Sequence, residues 1–251
     1  MREGRWLGKY PLLPLAMAAC LIGAGAGAVE AQTIADVLAI CQDEAKAAPD
    51  RIAACTRIIE DKAQDEGMRA EALIQRGVLY ELRGDREDAV SDYSEAIKLE
   101  GTNALPYFNR GNVHDQLRRF EQAIADYTEA IKLDPSDPDF YNNRGQTYDS
   151  MGEHDRAIAD YTEAIRLDKT SARPWYNRGL SYANKGDYKR AIADFDEAIK
   201  RAPDDADLYV ARGAAKEELS DRDAALRDYR KALEIDADHE DALEGINRLG
   251  G

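Results

Sequence analysis

Gly77, Gly111, Gly145, Gly179 and Gly213 stand 34 residues apart, and each directly follows an arginine. A fixed period of this length constrains the fold more than any composition does. Such a chain buries its apolar surface by stacking like units against one another, so its 251 residues count units rather than globular domains. The rest of the unit keeps the same phase. Tyr93, Tyr127, Tyr161, Phe195 and Tyr229 lie 16 residues after their glycines, and Ala96, Ala130, Ala164, Ala198 and Ala232 follow three residues later.

The stretches "YFNRG", "YNNRG" and "WYNRG", each followed by "AIADYTEAI" or "AIADFDEAI", resemble the tetratricopeptide repeat in its bacterial form. The resemblance implies an all-α solenoid of antiparallel helix pairs, wound as a right-handed superhelix of less than one full turn. Five units read as Ala70 to Asn103, Ala104 to Asp137, Pro138 to Ser171, Ala172 to Asp205 and Ala206 to His239, within a repeat region spanning 68–239. Residues 32–67 read as a degenerate helix pair, Ile34 to Ala47 and Arg51 to Lys62, joined to the array by the polar connector Gln64 to Gly67. Residues 240–251 read as a capping helix, because a terminal unit has one face without a neighbour.

Local chemistry predicts the ends of the helices. Pro106 and Pro174 fall in first turns, where a missing N–H costs little. Gly84, Gly152 and Gly186 fall where the first helix of a pair must stop, with Arg118 and Ser220 at the same phase in the other two units. Asp85, Asp155, Asp187 and Asp221 are expected to cap the second helices. Small residues, the phased glycines with Ala89, Ala123, Ala157, Ala191 and Ala225, are expected where paired helices approach closely. Tyr80, Tyr148 and Tyr182 are expected between neighbouring units, with His114 packed and hydrogen-bonded at the same phase.

Residues 1–31 read as a signal peptide: Arg2, Arg5 and Lys9 precede an apolar run from Pro11 to Val29, and cleavage is expected after Ala31. Two alternatives stay open, an uncleaved membrane anchor and a lipoprotein modified at Cys20. The expected location is periplasmic or secreted. Cleavage moves the net charge from −15 to −16, which disfavours nucleic acid and anionic membrane surfaces as partners. It suits a protein or peptide partner, including one with a basic segment. Cys41 and Cys55 lie equidistant from a turn at Ala48, so a hairpin folded there brings the two sulfurs together as a disulfide.

Arg76, Arg110, Arg144, Arg178 and Arg212 are each matched 16 residues later by Asp92, Asp126, Asp160, Asp194 and Asp228. The pattern predicts a ladder of bidentate ion pairs, within a unit or between neighbours.

No catalytic constellation, cofactor motif or metal-ligand spacing is present: His114, His154 and His239 fall at unrelated phases, so the chain does not read as an enzyme. In the family the first helices line the concave side. Asn109, Asn143 and Asn177 are expected there as a ladder able to bind an extended peptide backbone, with the alternative that they hydrogen-bond the next unit's helix and only hold the curvature. Phe108, Asn112, Asn142, Gln146, Arg173, Tyr176 and Leu180 are placed on the same face. Some family members that serve chaperones clamp a terminal carboxylate with five polar residues. Asn112, Asn143 and Arg173 match three of those places, but Phe108 and Asn177 replace two cations, which argues against that activity. The expected function is a non-catalytic adaptor or assembly factor of the bacterial cell envelope. The alternative is a structural module that self-associates into homo-oligomers.

Overall fold

The computed structural model describes residues 33–250; the signal peptide expected over 1–31 lies outside them. Among the described residues the chain forms thirteen helices and no strand. They are α1 (Ile34–Gln42), α2 (Ala48–Glu60), α3 (Glu66–Arg83), α4 (Arg86–Leu99), α5 (Ala104–Gln116), α6 (Phe120–Leu133) and α7 (Pro138–Ser150). α8 (His154–Leu167), α9 (Arg173–Asn184), α10 (Tyr188–Arg201), α11 (Ala206–Glu218), α12 (Arg222–Ile235) and α13 (Glu240–Arg248) complete the array. Each helix packs on the one that follows, giving an all-α solenoid. No helix among the described residues is long and apolar enough to cross a membrane.

The phased glycine makes room for the phased aromatic. Tyr93, Tyr127, Tyr161, Phe195 and Tyr229 are at most 1% exposed. A Cβ built on Gly77, Gly145 or Gly179 would stand 2.6, 2.8 or 2.6 Å from the ring 16 residues later. The glycine is therefore a notch for a side chain rather than a simple point of helix approach. Tyr229 is gripped from both sides, since a Cβ on Gly245 of α13 would lie 2.6 Å from it. The terminal helix thus seats itself on the last ring of the array.

The first helices of the five units end alike. Gly84, Gly152 and Gly186 have φ of 91°, 77° and 77°, and Arg118 and Ser220 keep the same left-handed turn at 56° and 61°. In every unit the next N–H donates back to a carbonyl five residues earlier, as from Arg119 to His114 and from Asp221 to Lys216. The capping expectations hold at Asp187 and Asp221, whose side chains accept from Arg190 and Ala224 N–H groups. Asp85 occupies the cap position but its side chain makes no cap hydrogen bond. Asp155 lies inside α8, and Glu153 holds that cap position instead. At the N-terminal side, α1 stops at Gln42 and α2 begins at Ala48, three residues earlier than expected. The connector lies earlier than expected too, because α2 ends at Glu60 and Asp65 accepts from Met68 N–H and starts α3 at Glu66. Cys41 and Cys55, both fully buried, are joined by a disulfide with Cα atoms 5.0 Å apart.

The five arginines each form two hydrogen bonds with the aspartate of their own unit. Arg144, for example, donates from Nε and Nη2 to Asp160 at 2.8 Å each. The third arm reaches the preceding second helix. Nη1 of Arg76, Arg110, Arg144 and Arg178 donates to Thr56, Ser94, Thr128 and Thr162 at 2.8 to 3.0 Å. Arg212 meets Asp196 in the same place at 2.6 Å. One guanidinium therefore ties both helices of its unit to the unit before. The aspartates are 4 to 7% exposed, so each needs a cation beside it, which is the arginine in every unit, with Lys216 as a second at Asp228.

Candidate functional site

The contacts between helices separate two faces of the array. Each first helix from α3 onward touches the next first helix, up to α13, whereas consecutive second helices do not touch one another. The first helices are thus the crowded, inner wall, and the second helices fan out behind them.

On this wall the expected asparagine ladder is engaged with itself. Asn112 Oδ1 accepts from the Tyr127 hydroxyl at 2.8 Å and from Asn143 Nδ2 at 2.9 Å. The Asn142 amide lies 3.2 and 3.3 Å from the side chains of Asn143 and Gln146 and 3.1 Å from that of Asn177. The amides form a chain across α5, α7 and α9 that links neighbouring units. Asn109 lies beside the Tyr93 hydroxyl. Asn142 and Asn177 are 1% and 8% exposed, so neither presents its amide to a groove ligand as expected. Phe108, 8% exposed, is likewise core: its ring packs on Phe140 at 4.8 Å and Tyr127 at 5.9 Å. Arg173 is ion-paired with Asp139, so the one cation matching the carboxylate clamp already has a counter-ion. Asn112, Asn143 and Tyr176 remain half-buried and Gln146 exposed on this wall. Tyr176 packs its ring 5.9 Å from Phe195.

His114 is buried as expected but not hydrogen-bonded as expected. Its Nδ1 has no partner among the described residues, and its Nε2 stands 3.8 Å from Asp126. Burial holds its pKa below the ordinary histidine value. At the same phase Tyr148 and Tyr182 stack under Arg156 and Arg190, at 4.1 and 4.5 Å to the ring centre, while Lys216 pairs with Asp228 at 2.7 Å.

A second polar row escaped the sequence reading. Glu81, Asp115, Asp149 and Glu217 stand four residues after their glycines, at the edge of the inner wall. Tyr93 donates to Glu81, Tyr161 to Asp149 at 3.0 Å and Tyr229 to Glu217 at 2.8 Å. Asp115 and Asp149 also accept from Thr147 and Ser181 of the next unit, at 2.6 Å each. In the fourth unit Phe195 has no hydroxyl to donate, and Ala183 stands where the carboxylate would be. That paired loss was visible in the sequence at the 34-residue phase. Burial pushes the Glu81 carboxyl up to about 7, against the lowering effect of the Tyr93 hydrogen bond and the Arg86 charge.

Comparison with known proteins agrees with this architecture. Models described as tetratricopeptide repeat match residues 70–103, 138–171, 172–205 and 206–239, and one described as TPR repeat matches 116–152. Together they cover more than half of the chain. No curated protein matches it. Among solved structures it is similar to YrrB, described as a TPR protein with an unusual peptide-binding site. The identity is 23% over 77% of this chain and 98% of that one, with a TM-score of 0.64. It is similar to MamA at 25% identity over 64% of this chain and 94% of that one, TM-score 0.62. Pseudomonas aeruginosa pilF is 18% identical over 72% and 82% of the two chains, TM-score 0.64.

Proposed function

Because the chain belongs to the tetratricopeptide repeat family, we propose that it is a non-catalytic scaffold of the bacterial cell envelope. In this reading it binds a protein or peptide partner along the inner wall of its first helices. The observation that carries the reading is the wall itself: a run of consecutive first helices holds half-buried and exposed side chains, Gln146, Leu180 and Ala214 among them, in register along the array. A surface laid along successive helices suits an extended or helical segment rather than a small molecule. The signal-like start and the Cys41–Cys55 bond support export, since disulfides persist in oxidising compartments.

The test is crosslinking and pull-down from the exporting cell. Wild type is compared with a Gln146→Arg, Ala214→Arg variant of the inner wall and with Ala159→Arg at an exposed position of α8. A partner lost only from the inner-wall variant is expected. Recovery of additional copies of this chain alone, unaffected by the inner-wall changes, would instead favour the self-associating module.

A further inference from the structure

The inner wall changes character after Asn177. In the next first helix Ala211 takes the position of Asn109, Asn143 and Asn177, and Ala214 that of Asn112 and Gln146. Ala215 replaces the hydroxyl of Thr147 and Ser181, and Ala183 replaces the carboxylate of Glu81, Asp115 and Asp149. The result is an open apolar strip across α9 and α11: Tyr176, Leu180, Ala183, Val210 and Ala211 are half-buried and Ala214 is exposed. Three of these six are alanines, which leave a recess beside the larger Tyr176 and Leu180. Tyr176, Leu180, Ala183 and Ala211 share one apolar cluster with Phe195 and Ala215, so the floor is fixed by the core beneath it.

The surroundings of the strip are negative. Asp205, Asp207 and Asp241 act on Tyr176: burial first, then these three charges, push its phenol up to about 12. The lysines and arginines of α9 and α11 are already paired. Arg173 faces Asp139, Arg178 faces Asp194, and both Arg212 and Lys216 face Asp228. Asp207, mostly exposed, is met among the described residues by His239 at 2.9 Å and by no lysine or arginine. An apolar recess under uncompensated carboxylates favours a ligand that brings both an apolar group and positive charge.

We propose that this recess takes a segment of a partner protein presenting a short apolar stretch flanked by lysine or arginine. The proposal rests on the scaffold reading above and adds the place and the chemistry of the contact.

Its test is fluorescence anisotropy of the purified protein with two labelled peptides, Gly-Lys-Leu-Phe-Lys-Gly and Gly-Glu-Leu-Phe-Glu-Gly. The lysine peptide is expected to bind at least about tenfold more tightly, with an advantage that shrinks as salt is raised. Ala214→Arg, at an exposed helical position, is expected to weaken it about tenfold at unchanged melting temperature. Asp207→Asn with Asp241→Asn is expected to narrow the difference between the peptides without filling the recess, and Gln146→Arg to leave both affinities unchanged. Equal affinity for the two peptides, no binding of either, or indifference to Ala214→Arg would overturn the proposal. If cellular partners are lost with Gln146→Arg alone and kept with Ala214→Arg alone, the scaffold reading survives and this recess is not its contact.

Discussion

The second and third units and the fourth and fifth share one backbone pattern yet build opposite inner walls. Across α5 and α7, Asn112, Asn143, Asn142 and Gln146 satisfy one another, and Asp115 and Asp149 accept hydroxyls from the next unit. Across α9 and α11 four of the equivalent positions carry Leu180, Ala183, Ala211 and Ala214, while Asn177 and Ser181 turn back to the preceding unit and Glu217 accepts from Tyr229. The stacking contacts are thus set at positions separate from those that vary along the inner wall. The arginine ladder and the aromatic in its glycine notch continue through both halves, while the inner-wall residues are free to vary. A wall whose polar groups already have partners stiffens the array. Removing those groups in pairs, as with Ala183 and Phe195, leaves surface for something else.

The largest test of this separation is the ladder. Arg144→Leu leaves Asp160 buried without a cation and is expected to cost about 3–5 kcal/mol, read by denaturant unfolding. Arg212→Leu is expected to cost less, because Lys216 remains 2.7 Å from Asp228. Equal losses would mean that Lys216 contributes nothing to that aspartate.

The carboxylate row supplies the next test. Glu81 titrates at about 7 in the folded chain against an ordinary value of 4.5, so the folded state holds its proton where the unfolded state has released it. Stability from this group is fully present below about 4.5, declines as pH rises toward 7 and then levels. Glu81→Gln is expected to remove that decline, of about 3 kcal/mol, from a thermal-melting pH series. The unpartnered Ala183–Phe195 unit adds no such slope.

A smaller effect distinguishes the two walls directly. Asn177→Ala removes the amide partner of the buried Asn142 and is expected to cost about 1–2 kcal/mol, whereas Ala214→Gln, on the open wall, is expected to change stability by less than about 0.5 kcal/mol. Smallest of all, Ser220→Gly relieves a φ of 61° and is expected to stabilise by about 0.5 kcal/mol.

Much of this was legible in the sequence because a strict period reports which positions are equivalent. The Arg–Asp ladder followed from five matched pairs, and the Cys41–Cys55 bond from symmetry about a turn. What the period does not report is the direction of a side chain near the border between two faces. One residue turns a helix by about 100°. Phe108, three before its glycine, therefore enters the core, while Asn112, one after, stays half-buried on the inner wall. Asn177 sits at that border and is buried by the amide of the previous unit. The third arm of each arginine was hidden for a different reason: its partner is a hydroxyl in Thr56, Ser94, Thr128 and Thr162 but a carboxylate in Asp196. Chemistry varies there while geometry does not. Asp155 misled because a capping residue two positions out of phase looks the same in composition as one in phase.

Site-specific photo-crosslinking in the exporting cell decides whether the inner wall holds the partners. A photoreactive residue replaces Gln146, Leu180 or Ala214 on the first helices, or Ala125, Ala159 or Ala193 at exposed positions of α6, α8 and α10. Adducts with another protein are expected from the first set, strongest at Leu180 and Ala214, and none from the second. Adducts confined to the second set would show that it does not.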